Sequence, residues 1–335
     1  MRFLTCFATV ASLALVAAAQ TGTPPKETTK AKEASPAGEV VRVDPKLPEY
    51  KPTQGISGSI KSMGSDTMIN VMTAWGEAFK KFYPSVRTEV EGKGSGTAPN
   101  GLIEGQAMFG CMSRPMKGTE VDAFEKKFGY KPTALRTAID TLAIFVNKDN
   151  PLNEITLDQA KKIFSVAGPD MTWGDLGVKD STLAGQPIIM YGRNSASGTY
   201  SFFKEHALGG ADYKASVKEQ PGSSAVVQAV ATDPASIGYS GIGYKTADVK
   251  MLKIKTSSGV VEGNYETALD GEYPLARFLY VYVNKSPNES LDPLRAEFIK
   301  MMFSKTGQEA VIKDGYYPVK ADVATEDLKK VGLGN

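Results

Sequence analysis

The chain has 335 residues, and its 39 lysines and arginines nearly cancel its 37 aspartates and glutamates. That balance excludes the basic surface of a nucleic-acid binder. The length exceeds what one hydrophobic core comfortably serves, so two domains are expected.

Met1 to Ala19 carry one arginine, an apolar stretch from Phe3 to Val16 and a closing Ala17-Ala18-Ala19. This is the pattern of a secretory signal peptide cut before Gln20. The run falls short of the roughly 20 apolar residues that a membrane span needs. Export implies a periplasmic location. Cleavage would leave Cys111 as the sole cysteine and His206 as the sole histidine. An intramolecular disulfide and a Cys/His metal site are then excluded, Cys/His catalysis is disfavoured, and no cofactor is expected. Cys111, in Phe109-Gly110-Cys111-Met112, reads as a small buried thiol, and His206 as a surface or packing residue.

Residues 20–57 are rich in Pro, Lys, Glu, Thr and Ala, and read as a disordered linker. The folded part is expected from Gly58. Ile60 to Met63 forms a strand, Gly64-Ser65-Asp66-Thr67 a turn, and Val71, Trp75, Ala78, Phe79 and Phe82 mark an amphipathic helix. Val86 to Glu91 alternates like a strand, and Gly92 to Pro99 is a second Gly/Ser/Thr turn opening a helix through Leu102 and Ile103. It lacks the residue order of a nucleotide P-loop. Ala107 to Met112 is the next strand, ending in Ser113-Arg114-Pro115. Leu142 to Lys148 and Phe278 to Lys285 are apolar strands that both end in Val-Asn-Lys, and are expected to cross side by side between two lobes. Between them lie a helix from Leu157 to Phe164, a turn from Thr172 to Leu176, the helix Ala225 to Ala231 after Gly222-Ser223-Ser224, and the strand Ile237 to Ser240.

The most informative stretch runs from Arg193 to Tyr200, between the strand Pro187 to Tyr191 and a helix from Tyr200 to Leu208. A strand, a Ser/Gly/Thr turn and a helix start present backbone N–H groups and hydroxyls at a helix N-terminus, a setting suited to an anion. Arg193 adds a guanidinium fork for a tetrahedral oxyanion. An N-capped helix with no ligand explains the same residues equally well. Repetition of such turns after successive strands favours a mostly parallel α/β sheet with its site at the strand C-termini.

In order along residues 58–319, Gly64 to Met68, Gly94-Ser95-Gly96, Phe109 to Pro115, Trp173-Gly174-Asp175, Arg193 to Thr199 and Ile237-Gly238-Tyr239 resemble the periplasmic phosphate-binding proteins of phosphate-specific ABC importers. The resemblance implies a type II periplasmic-binding-protein fold, α/β, with two lobes joined by two crossing strands around a ligand cleft. Residues 58–140 with 278–335 would form one lobe and 141–277 the other. It implies a monomer without catalytic residues that carries inorganic phosphate to a membrane permease. Phosphate would be held by Thr67 and the Met68 backbone, Ser95, Arg193, Ser197, Gly198 and Thr199, with Ser65 and Ser113 in the same loops. Many relatives place an aspartate where this chain has Ser113-Arg114. Asp66 and Asp140, the latter taken to sit just before the strand Leu142 to Val146, are the candidates to accept the phosphate proton, with Asp140 preferred. A sensor of phosphate, a binder of sulfate or molybdate and, more distantly, a hydrolase using Ser65 or Ser197 remain the competing readings. The lone His206 is poorly placed to activate either serine.

Overall fold

The computed structural model describes residues 41–334, so the signal-peptide expectation and the first half of the linker lie outside the described residues. In chain order the strands are β1 (Ser59–Gly64), β2 (Arg87–Glu91), β3 (Phe109–Met112), β4 (Thr133–Asn147), β5 (Glu154–Thr156), β6 (Ile189–Arg193), β7 (Lys218–Gln220), β8 (Ser236–Gly241), β9 (Val249–Met251), β10 (Lys253–Thr256), β11 (Gly259–Val261) and β12 (Ala276–Val283). The helices are α1 (Ile69–Phe82), α2 (Ala98–Ile103), α3 (Gly118–Phe128), α4 (Leu157–Phe164), α5 (Gly198–His206), α6 (Ser223–Thr232), α7 (Tyr265–Leu269), α8 (Pro293–Met302), α9 (Lys305–Lys313) and α10 (Ala321–Lys330).

Along the main sheet the order is β2-β1-β3-β12-β4-β8-β6-β7, with β9 also on β4. The two wings are parallel, β2-β1-β3 on one side and β8-β6-β7 on the other. The centre is antiparallel, because β12 runs against both β3 and β4, and β4 against β8. The sheet is therefore mixed rather than mostly parallel. Parallel wings leave the loops after β1, β2, β3 and β6 at strand C-terminal ends, where α/β folds build their sites.

Strand β4 is the spine. Its first part, Thr133 to Thr141, pairs with β12, and its second, Leu142 to Val146, pairs with β8. The two expected runs do lie on neighbouring strands, but β12 faces residues 133–141 and not Leu142 to Lys148. The strand begins earlier than apolar content alone suggests, since Arg136 and Asp140 interrupt the apolar run yet still pair with β12, across one register shift between Arg136 and Ala138. Asp140 is thus inside β4 rather than ahead of it.

Each half of the sheet buries its own apolar cluster. One gathers Met68, Trp75, Phe79, Phe109, Leu279, Phe298 and Phe303. The other gathers Leu142, Ile144, Phe164, Trp173, Phe203, Ile237 and Tyr239. Each is pinned by a buried indole N–H, from Trp75 to the Gly307 carbonyl at 2.8 Å and from Trp173 to the Ala235 carbonyl at 2.9 Å. Such bonds satisfy the one polar atom of a side chain that is otherwise all apolar surface.

Residues 41–57 depart from the linker reading. Leu47, Tyr50 and Ile56 are buried in the first cluster. The Tyr50 hydroxyl donates to Glu297 Oε2 at 2.8 Å, and the Lys305 N–H donates to the Pro48 carbonyl at 2.9 Å. Three well-spaced apolar anchors fasten a segment whose average composition is that of a disordered tail.

Candidate functional site

The site grows out of the strand–helix junctions. Gly64 ends β1 at φ 138°, and a Cβ there would lie 2.0 Å from the Cys111 carbonyl of β3, so only glycine lets the strands draw together before the turn. The turn that follows, Ser65 to Met68, is held by two tyrosines from elsewhere in the chain. Tyr244 donates to the Asp66 carbonyl at 2.8 Å and Tyr316 to the Thr67 carbonyl at 2.9 Å. Burial pushes both phenols well above their ordinary range, so both remain hydroxyl donors.

All the residues proposed from sequence come together, and each is buried. Ser65, Asp66, Thr67, Ser95, Ser113, Asp140, Arg193, Ser197 and Thr199 lose nearly all contact with solvent, as do Met68 and Gly198. The Ser65 hydroxyl donates to Ser113 Oγ at 3.0 Å, Ser95 Oγ lies 3.2 Å from Ser113 Oγ, and the Ser113 N–H donates to Ser95 Oγ at 3.0 Å. From the other half of the sheet, α5 starts against this group. A Cβ on Gly198 would meet Ser95 Oγ at 2.3 Å and Ser113 Oγ at 2.5 Å. Thr67 and Thr199 hydroxyls are 3.1 Å apart, and the Gly96 N–H donates to the Ala196 carbonyl at 3.1 Å. Ser197 caps α5 by accepting the N–H groups of Thr199 and Tyr200 at 3.1 and 3.4 Å. A hydroxyl whose oxygen accepts N–H bonds keeps its own proton to donate, which holds for Ser95 and Ser197 alike.

Two buried ion pairs flank the hydroxyls. Arg193 Nη2 pairs with Asp66 Oδ1, and Nη1 donates to Ser223 Oγ at 2.9 Å. Ser223 in turn donates its N–H at 2.9 Å and its hydroxyl at 3.1 Å to Asp66 Oδ2. Asp66 thus sits at the N-terminus of α6, where a negative charge is favoured. It also borders an open pocket of about 410 Å³, shared with Ile69, Asn70, Gly222 and Tyr244. The second pair joins Asp140 to Arg277, whose Nε and Nη2 donate to Oδ2 at 3.0 and 2.8 Å. Asp140 Oδ1 accepts the Ile242 N–H at 3.0 Å. Asp140 meets the hydroxyl cluster by way of Arg277, which donates to Thr199 Oγ1 at 2.9 Å. Arg193 Nε and Arg277 Nη1 are both buried with no hydrogen-bond partner. An unpaired buried guanidinium N–H is costly and keeps its capacity to donate.

Arg277 and Ser223 were not among the candidates from sequence. A signal for Arg277 existed, since it is a lone cation directly before the apolar run from Phe278 to Val283. Cys111 is buried as expected, and burial pushes its thiol up to about 12. His206 stacks on Phe202 at 4.0 Å, on the exposed side of α5.

Two α/β lobes joined by crossing strands, with hydroxyls and arginines buried at their junction, define a type II periplasmic binding protein, and residues 49–306 match the PBP superfamily domain. The chain belongs to the family of the phosphate-binding protein PstS, a family of substrate-binding proteins. It is 52% identical over 305 residues to the phosphate-binding protein PstS of Pseudomonas aeruginosa PAO1, across 89% of this chain and 94% of that relative. It is 30% identical over 275 residues to PstS of Bacillus subtilis, across 81% of this chain and 84% of the relative. Among solved structures, a protein of Clostridium perfringens assigned as a phosphate ABC transporter's substrate-binding protein, with phosphate bound, superimposes with a TM-score of 0.67. The identity to it is 27%, over 78% of this chain and all of the other.

Proposed function

We propose that the chain binds inorganic phosphate outside the cytoplasmic membrane and delivers it to the permease of an ABC importer, acting as a carrier with no catalytic step. The observation that carries this is the buried cluster of Ser65, Thr67, Ser95, Ser113, Ser197 and Thr199 hydroxyls with Arg193, contributed by turns from both halves of the sheet. Such donors satisfy a dehydrated oxyanion, and the phosphate named for the Pseudomonas and Clostridium relatives supports the choice of ligand. Export as a monomer through cleavage before Gln20 belongs to the same proposal. Among the described residues no helix is long and apolar enough to cross a membrane. We take residues 58–140 with 278–335 as one lobe, onto which 41–57 pack, and 141–277 as the other, a division supported by the two apolar clusters. The Met68 backbone and the N-terminus of α5 at Gly198 complete the ligand shell.

HPO₄²⁻ also presents one proton, which needs an acceptor. Asp140 is our assignment, since it is fully buried beside the Thr199 side of the cluster, whereas Asp66 borders the open pocket and serves as counter-charge to Arg193. A carboxylate facing fully ionised sulfate would be repelled, so this residue separates the two anions. Calorimetric titration of the chain starting at Gln20 with phosphate, sulfate, molybdate and a phosphate monoester tests the proposal. Saturable binding of one phosphate per chain is expected, with sulfate much weaker. Preference for sulfate or molybdate would overturn it. Asp140→Asn should lower the phosphate-to-sulfate ratio, Asp66→Asn should leave that ratio in place, and Arg193→Ala should weaken both anions.

A further inference from the structure

The β4–β12 ladder sets Arg277 directly opposite Asp140, so their pairing is a cross-strand contact of the two strands that join the lobes. Arg277 is only 7% exposed, and its guanidinium carbon lies 5.1 Å from the centre of the Phe202 ring on α5. Arg277 therefore touches both crossing strands and the helix that opens at Ser197. We propose, building on the phosphate reading, that Arg277 is a positioning residue that sets the donor and acceptor polarity of the site and with it the preference for a protonated tetrahedral oxyanion.

A guanidinium can only donate. Nε and Nη2 both donate to Asp140 Oδ2, at 3.0 and 2.8 Å, while Oδ1 takes the Ile242 N–H at 3.0 Å. An oxygen of a carboxylate accepts about two hydrogen bonds, so Oδ1 is the one with capacity left for a ligand proton. On its other side Nη2 donates to Thr199 Oγ1 at 2.9 Å. That occupies one lone pair of Thr199 Oγ1 and turns its hydroxyl proton away from Arg277, leaving Thr199 a donor. One rigid fork thus fixes one acceptor and one donor in neighbouring positions. An anion with bare oxygens and a single O–H matches both, and one with bare oxygens alone meets a lone pair. A cation–π contact with Phe202 helps hold the guanidinium in place, and its two-pronged donation to Asp140 is one a lysine ammonium could not reproduce.

The test is competition binding of phosphate and sulfate to the wild-type chain, Arg277→Gln, Arg277→Lys, Asp140→Asn and the double variant Arg277→Gln/Asp140→Asn, with folding of each checked by circular dichroism. Arg277→Gln should lower the phosphate-to-sulfate affinity ratio by about tenfold or more. Arg277→Lys, which keeps the charge but loses the fork, should lower it too, and it carries the test if the glutamine variant does not fold. Because Arg277 acts through Asp140, the double variant should have the ratio of Asp140→Asn alone, within about threefold. Equal weakening of both anions in the arginine variants would make Arg277 a general cation or a structural strut and overturn the inference. So would ratio losses that multiply in the double variant. A wild-type chain that binds no phosphate would instead overturn the phosphate reading itself.

Discussion

Replacing Gly198 by alanine separates closure of the cleft from stability of the fold. The added Cβ would sit 2.3 Å from Ser95 Oγ, 2.5 Å from Ser113 Oγ and 3.0 Å from Ser95 Cβ, about 1 Å inside ordinary contact. Both obstacles belong to the opposite half of the sheet, so the clash arises only when the two halves are closed on each other. Relief requires either a wider cleft or rotation of both serines, which gives up the Ser113 N–H bond to Ser95 Oγ at 3.0 Å and the 3.2 Å contact between the two hydroxyls. Overpacking of this size costs about 1–3 kcal/mol, so the phosphate Kd should rise roughly 5- to 150-fold. The ligand-free chain should melt no earlier than wild type, because alanine at a helical position restricts the unfolded chain more than glycine, worth about 0.4–1 kcal/mol. Gly96→Ala is the control, since its Cβ would meet the Ala196 carbonyl at an ordinary 3.5 Å. Calorimetry and thermal melts of both variants decide the matter. Wild-type affinity in Gly198→Ala, or equal damage in Gly96→Ala, would refute the packing described at Ser95 and Ser113.

Two further outcomes concern the first apolar cluster. Leu47→Ala should destabilise the chain by about 2–4 kcal/mol and lower its Tm by at least about 4 °C, whereas no change in the melt would return residues 41–57 to the status of a loose linker. Cys111 should resist alkylation at pH 8 in the native chain and react once denatured, because burial raises its thiol to about 12; rapid native labelling would contradict that burial.

Much of the site is legible in sequence because its residues follow strands in compact signatures. Ser65 to Met68, Ser95, Ser113 and Arg193 to Thr199 each occupy a strand end or the turn after it, and parallel wings bring such turns to one edge. What escapes is pairing across distance. Asp140 and Arg277 lie just outside the apolar runs that mark the crossing strands, so reading those strands from apolar content leaves both charges at the ends. Extending each strand to include its charged neighbour brings the two face to face in the antiparallel register. The role of Ser223 depends on Asp66, 157 residues away, and no local pattern announces it. Leu47, Tyr50 and Ile56 are hidden for another reason, since composition averaged over a segment cannot weigh three anchored side chains against many solvated ones.

A crystal structure of the chain grown with phosphate tests the central claim most directly. Phosphate is expected at the junction of the lobes, within hydrogen-bond distance of Thr67, Ser95, Arg193, Ser197 and Thr199, with its protonated oxygen toward Asp140 Oδ1. Phosphate held elsewhere on the chain, or a junction that stays closed on itself with Arg277 and Arg193 turned away from the anion, would contradict the account.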